Sequence, residues 1–153
     1  MKIHTLALAL PFAFALTGAY ATAADPPRGA AESRAVLRTL NGERTAHRCR
    51  RLALDRRLGA IAQAFANDMA RRGYFGHTTP EGIDPFERLR RARYAYVDAG
   101  ENIALDTDAA RAHLAIWNEP RHRKIVLQSD FRRVGIGVAN SRGELILVED
   151  YSD

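Results

Sequence analysis

The C-terminal section constrains the fold most, because the hydrophobic period there changes to two. Val134, Ile136 and Val138 alternate with Gly135, Gly137 and Ala139, a spacing that puts one set on each face of a strand. Asn140-Ser141-Arg142-Gly143 supplies a turn, and Leu145 to Tyr151 a second strand, so the chain closes on a β-hairpin. Upstream, helical patterns follow one another without repeated strand–helix–strand units. The combination predicts an α+β domain with a small antiparallel sheet rather than a doubly wound parallel fold.

The helices have their own signals. Leu37, Leu40 and Arg44 share helical spacing in a first helix over 33–48. Asp55 caps a second, whose stripe of Leu58, Ile61, Ala62, Phe65, Ala66 and Met69 ends at Gly73. A turn-rich stretch follows, in which Thr79-Pro80-Glu81-Gly82 fits a type I turn. Asp84-Pro85-Phe86-Glu87 has the cap, first-position proline and capping-box glutamate of a short helix that fades near Ala92. Tyr94 to Val97 reads as extended, and Gly100 to Ala104 as a bend into irregular chain. Asp106 or Thr107 caps a helix with Ala110, Leu114 and Trp117 on one face; Pro120 ends it, and His122 to Leu127 forms a further helical turn.

The N-terminus reads as an export signal. Lys2 precedes an apolar run from Leu6 to Leu16, and Ala19-Tyr20-Ala21 and Ala21-Thr22-Ala23 are small-residue cleavage sites. Residues 1–24 are therefore expected to be a signal peptide, 25–32 with Pro26-Pro27 a flexible leader, and 33–153 one domain, secreted or periplasmic, with no membrane span after cleavage. Such a length buries a core without disulfide or metal support. Cys49 is the only cysteine, so no intramolecular disulfide forms. The formal charge of +5 is almost all arginine, clustered at Arg48, Arg50, Arg51, Arg56 and Arg57 and at Arg88, Arg90, Arg91 and Arg93. These groups read as solvated helix faces before a surface for an anionic cell-envelope partner. No nucleic-acid motif accompanies them, so no specific nucleic acid is expected.

Four residues carry candidate chemistry: His77 in Phe-Gly-His-Thr, Glu101 in Gly-Glu-Asn-Ile-Ala, and Glu119 and His122, three apart in Trp-Asn-Glu-Pro-Arg-His. Imidazoles and carboxylates together can bind a divalent metal, relay protons or tie a cleft together by hydrogen bonds. His47 and His113 read as ordinary surface or partly buried helix residues. The chain has no His-Glu-x-x-His helix and no Gly-x-Ser-x-Gly elbow, and Cys49 lacks a nucleophile's context. Glu119 to His122 is a single Glu-x-x-His, where a ferritin-like di-iron site needs two.

These motifs, with Leu40-Asn41-Gly42-Glu43-Arg44 before them and Phe131-Arg132-Arg133-Val134-Gly135 after, resemble in order and spacing the bacterial CAP-domain (SCP-like) proteins. That superfamily includes cysteine-rich secretory proteins, insect antigen 5 and plant pathogenesis-related proteins. The resemblance spans residues 34–151 and implies an exported three-layer α-β-α sandwich with a cleft lined by two histidines and two glutamates. His77, Glu101 and His122 match the family pattern; Glu119 stands for the second glutamate, one residue closer to Trp117 than the pattern has it. Ile125 replaces an asparagine usual in bacterial members. The resemblance implies a non-enzymatic module binding a lipid or other small molecule. It also implies a divalent cation on His77 and His122, with Glu101 and Glu119 as weaker ligands; imidazole favours zinc. The alternative is a hydrolase in which Glu101, His77 and His122 serve as acid and base.

Overall fold

A computed structural model describes residues 28–153. The expected signal peptide and the first part of the leader lie outside them. Helix α1 spans Arg28–Ala46 and α2 Arg56–Arg72, with the two-residue strand β1, Ala53–Leu54, between them. Then come α3 (Pro85–Arg91), β2 (Ala99–Asp106), α4 (Ala109–Asn118), α5 (Pro120–Val126), β3 (Arg133–Ser141) and β4 (Glu144–Ser152). The sheet order is β1-β3-β4-β2, with β1 parallel to β3 and the rest antiparallel. Helices cover both faces, giving an α-β-α sandwich.

Local chemistry sets most boundaries where the sequence puts them. Asp55 accepts from the backbone N–H of Arg57 and Leu58 to start α2, and Gly73 closes it. Asp84 caps α3 with Pro85 in its first turn. The hairpin turns through Arg142 and Gly143, at φ 52° and 92°; positive φ at both central residues suits a two-residue turn between right-twisted strands.

Three expectations need correction. Helix α1 starts at Arg28, so 28–32 of the expected leader are helical. Helix α4 is capped by Asp108, whose side chain accepts from Arg111 N, not by Asp106 or Thr107. The stretch from Gly100 to Ala104, expected as a bend into irregular chain, belongs to β2, which pairs with β4 along its whole length. Its inner residues are buried on both faces, so the alternation that marks a half-exposed strand is missing.

The two layers explain the composition of the hairpin. Val134, Ile136 and Val138 of β3 and Leu145, Leu147 and Tyr151 of β4 face α1 and α4, packing with Leu40, Ala112 and Ile116. Ile146 and Val148 face α2, with Phe65, Ala66 and Met69. Gly135 and Gly137 also face α2, and a Cβ there would stand 2.3 Å from Leu58 C and 2.4 Å from Ala62 C. The glycine face of β3 is what lets the α2 backbone lie directly on the sheet.

Candidate functional site

Strand alternation sends Glu101 to the α2/α3 face and its neighbour Asn102 to the α4/α5 face. Glu101 is buried and uses both oxygens. Oε1 lies 2.7 Å from His77 Nδ1, and Oε2 accepts from Arg88 of α3. Arg88 also donates to the His77 carbonyl at 2.9 Å and stacks over Phe65, its Cζ 3.4 Å from the ring centroid. The guanidinium therefore ties the His77 loop to the strand. His77 itself is half open, its side chain 47% exposed.

Asp150 lies directly opposite Glu101 in the β2–β4 register. Its carboxyl, fully buried, is pushed well above the usual carboxylate range, first by burial and next by the charge of Glu101.

Glu119 and His122 form a separate pair. Glu119 is the N-cap of α5, accepting from His122 N at 2.8 Å, and its Oε2 is 3.7 Å from His122 Nδ1. Asn102 reaches the same turn from the sheet, donating to the His122 carbonyl at 3.2 Å. The sequence quartet thus resolves into two pairs, His77 with Glu101 and Glu119 with His122.

A cavity of about 490 Å³ opens at the edge of β2, between α3 and α5. His77, Glu101, Pro85, Phe86, Ile125 and Phe131 are among its lining residues; Glu119 and His122 are not. Ile125, in the asparagine's place, forms part of its apolar wall. A larger groove of about 660 Å³ runs between α2 and α3, beyond Arg88. Its lining includes Asp68, Arg72 and Glu81 but no imidazole.

The arrangement does not fit the expected metal. Among the described residues no group of three or more His, Cys, Asp or Glu is placed to hold an ion. His77 Nδ1 and both Glu101 oxygens face each other and Arg88. Zinc sites draw on three or four protein ligands, and of the His77–Glu101 pair only the outer ring nitrogen of His77 is left to offer one.

Sequence reasoning missed Arg88 and Asp150 as partners of Glu101, and it misread His113. That residue is buried on the α1/α4 side of the sheet. Its Nδ1 lies 2.6 Å from Glu149 Oε1 and its Nε2 2.9 Å from Glu43 Oε2. Tyr151 donates to Glu149 Oε2 at 2.5 Å. Burial opposes charge on His113, but the Glu149 and Glu43 carboxylates outweigh it and raise its pKa to about 10. The available signal was Glu149-Asp150 within an apolar strand, since adjacent buried carboxylates face opposite layers and each needs a partner there.

The comparisons with known proteins agree with this architecture. The family model for the cysteine-rich secretory protein family, CAP, matches residues 37–151. An uncharacterized protein of Bacillus subtilis, YkwD, is 31% identical over 121 residues, covering 78% of this chain and 47% of its own length. The chain thus spans less than half of that relative. The crystal structure of an extracellular protein containing an SCP domain from Bacillus anthracis superposes with a TM-score of 0.75 at 26% identity, covering 81% of this chain and 41% of that one. The structure of NaASP2 with Zn2+ superposes at 0.59 and 17% identity, covering 82% of each chain, a likeness of fold alone. By the family match, the shared motif order and the sandwich itself, the chain belongs to the cysteine-rich secretory protein (CAP) family.

Proposed function

We propose that this chain is an exported binding module that takes a small ligand, a lipid or another molecule with an apolar body and one polar group, in the cavity at the edge of β2. The observation that carries this reading is the make-up of the cavity. Pro85, Phe86, Ile125 and Phe131 supply its apolar lining, Asp98, Lys124 and Gln128 polar groups at its wall, and the His77 imidazole, backed by Glu101, an oriented one. Apolar walls with a few placed polar groups are the usual composition of a small-molecule site. The expected export signal, and the extracellular protein among the structures this chain resembles, support a module that works outside the cytoplasm, where cell-envelope lipids are among the available ligands. Among the described residues no helix is long and apolar enough to cross a membrane.

The test is a screen of lipids and small molecules by NMR, following His77 and the Phe86 and Phe131 rings. Hits are expected to shift all three and to weaken at least tenfold in Phe86→Ala and Ile125→Asn. Hits that leave these residues unshifted would remove the cavity from consideration.

One observation favours hydrolysis as a second reading. A carboxylate 2.7 Å from Nδ1 orients the opposite ring nitrogen as a base. Turnover of ester, peptide or peptidoglycan substrates that disappears in both His77→Ala and Glu101→Gln would establish it. Turnover indifferent to both substitutions would dismiss it.

A further inference from the structure

The two open edges of the sheet are finished differently. Strand β1 covers β3 only at Arg133 and Val134, so β3 is an edge from Gly135 onward. There α2 stands in for the missing strand, because the Gln63 amide accepts from Val138 N–H at 3.1 Å and donates to the Val138 carbonyl at 2.6 Å. An edge stopped in this way is closed to another chain at that point.

The other edge is β2, which pairs with β4 alone. Backbone groups alternate between the two sides of an antiparallel strand. Since Val138 turns away from β4, the register carries the alternation across the sheet: Gly100 and Asn102 bond to β4, while Ala99 and Glu101 turn N–H and C=O outward. Among the described residues no side chain or loop meets these outward groups. The cavity of about 490 Å³ lies along the same stretch, with Ala99, Gly100 and Glu101 in its lining.

Its walls suit an extended chain. A Cβ on Gly100 would stand 3.1 Å from Ile125 and 3.2 Å from Phe131, so these two flank one face of β2. Glu101, on the opposite face, reaches His77 and α3, the helix that Pro85 and Phe86 begin. A strand laid against β2 sends alternate side chains toward these two sets. Charge adds an end group. Asp98 at the wall accepts from Gln128 at 3.4 Å, whereas Lys124 makes no ion pair among the described residues, so a carboxylate is its match.

On these grounds we infer that the cavity takes a short extended peptide with apolar side chains and a free C-terminal carboxylate, which pairs with Ala99 and Glu101 as a further strand beside β2. The inference rests on the binding reading above and names its ligand class.

The probe is acetyl-Leu-Val-Leu with a free carboxylate, followed by NMR. Its addition should shift the amide protons of Ala99 and Glu101 and slow their exchange, leaving the exchange of Gly100 and Asn102, already in the ladder, as before. A strand shows only every second N–H to its neighbour, so N-methylation of the peptide should alternate in effect. Methylating the valine nitrogen and methylating the leucine nitrogens should give opposite results, one weakening binding at least about tenfold, the weight of a lost hydrogen bond, the other changing it less than about twofold. Ala99→Pro deletes an outward N–H without touching the β4 ladder and should weaken binding by a similar factor. The methyl scan decides even where that variant fails to fold. The peptide acid should bind more tightly than its C-terminal amide, and Lys124→Ala should erase the difference.

Equal loss at every methylated position, or binding that leaves the Ala99 and Glu101 amides unmoved, would overturn strand addition. So would concentration-dependent shifts of those amides in the free protein, which would assign the edge to a second copy. Equal affinity of acid and amide would refute the carboxylate end. Failure of the peptide to bind, while hits from the screen above still shift Phe86 and Phe131, would overturn this inference alone. Pairing with Ala99 and Glu101 while both rings stay unmoved would support strand addition and count against the cavity reading.

Discussion

The sheet separates two histidine–glutamate pairs of nearly the same geometry. On the α2/α3 side His77 Nδ1 lies 2.7 Å from Glu101; on the α1/α4 side His113 Nδ1 lies 2.6 Å from Glu149. Their surroundings differ. The His77 side chain is 47% exposed and looks into a cavity, while His113 is 1% exposed and has a second carboxylate, Glu43, on its other nitrogen. In the sealed pair both ring nitrogens are spent on the protein, so the imidazole acts as a buried cation between two acids. In the open pair one nitrogen is left for a ligand. The same two residue types thus form a sealed strut on one face and a pair open to a cavity on the other, and what divides them is access to solvent.

The largest effect is expected from breaking the sealed pair. His113→Leu leaves Glu149 buried without its cation and should cost about 3–5 kcal/mol by urea denaturation. Leucine at both 113 and 149 removes the stranded charge and should recover much of that loss. A single substitution as mild as a surface change would mean that water reaches the pair.

pH sharpens the contrast. A histidine raised from 6.5 to about 10 in the folded state binds its proton more tightly there than when unfolded. The stabilisation is full below about pH 6.5 and is lost as pH rises through about 10. Wild-type stability should therefore fall between pH 7 and 10, and the fall should flatten in the double-leucine variant. Equal slopes in the two proteins would deny His113 its charge.

Smaller effects belong to the open side. Glu119→Ala removes the α5 N-cap and should cost about 1 kcal/mol, with ligand binding in the cavity changed less than twofold. His77→Ala takes the partner from Glu101 Oε1 and should cost about 1 kcal/mol, well short of His113→Leu, yet abolish shifts from any cavity ligand. A stability loss matching that of His113→Leu would make His77 a second structural centre and erase the distinction.

Much of this was legible in advance because it is local. The Asp55 and Asp84 caps, the end of α2 at Gly73 and the period-two hairpin each follow from chemistry within a few residues. Strand β2 was not legible, because its inner residues are buried on both faces and its partners on β4 lie about forty to fifty positions away along the chain, from Ala99↔Ser152 to Asp106↔Leu145. For the site, His77 and Glu101 were named and stand together, and Glu119 and His122 were named and stand as a pair at the start of α5. Arg44 shows the same divide. Its helical spacing was visible, but its role was not: the guanidinium is buried and donates to the carbonyls of Arg50, Val126 and Gln128, joining α1 to the C-terminal end of α5.

The sequence by itself determined most of the helices, the hairpin and the family, because periodicity, caps and motif order are written in neighbouring residues. Only the tertiary structure decided which carboxylate each histidine meets and which of them water can reach. Adjacent residues on a strand point to opposite layers, so Glu101 with Asn102, and Glu149 with Asp150, part company at the sheet. Their partners come from helices and loops far along the chain, and burial then sets which pair is a strut and which faces a cavity.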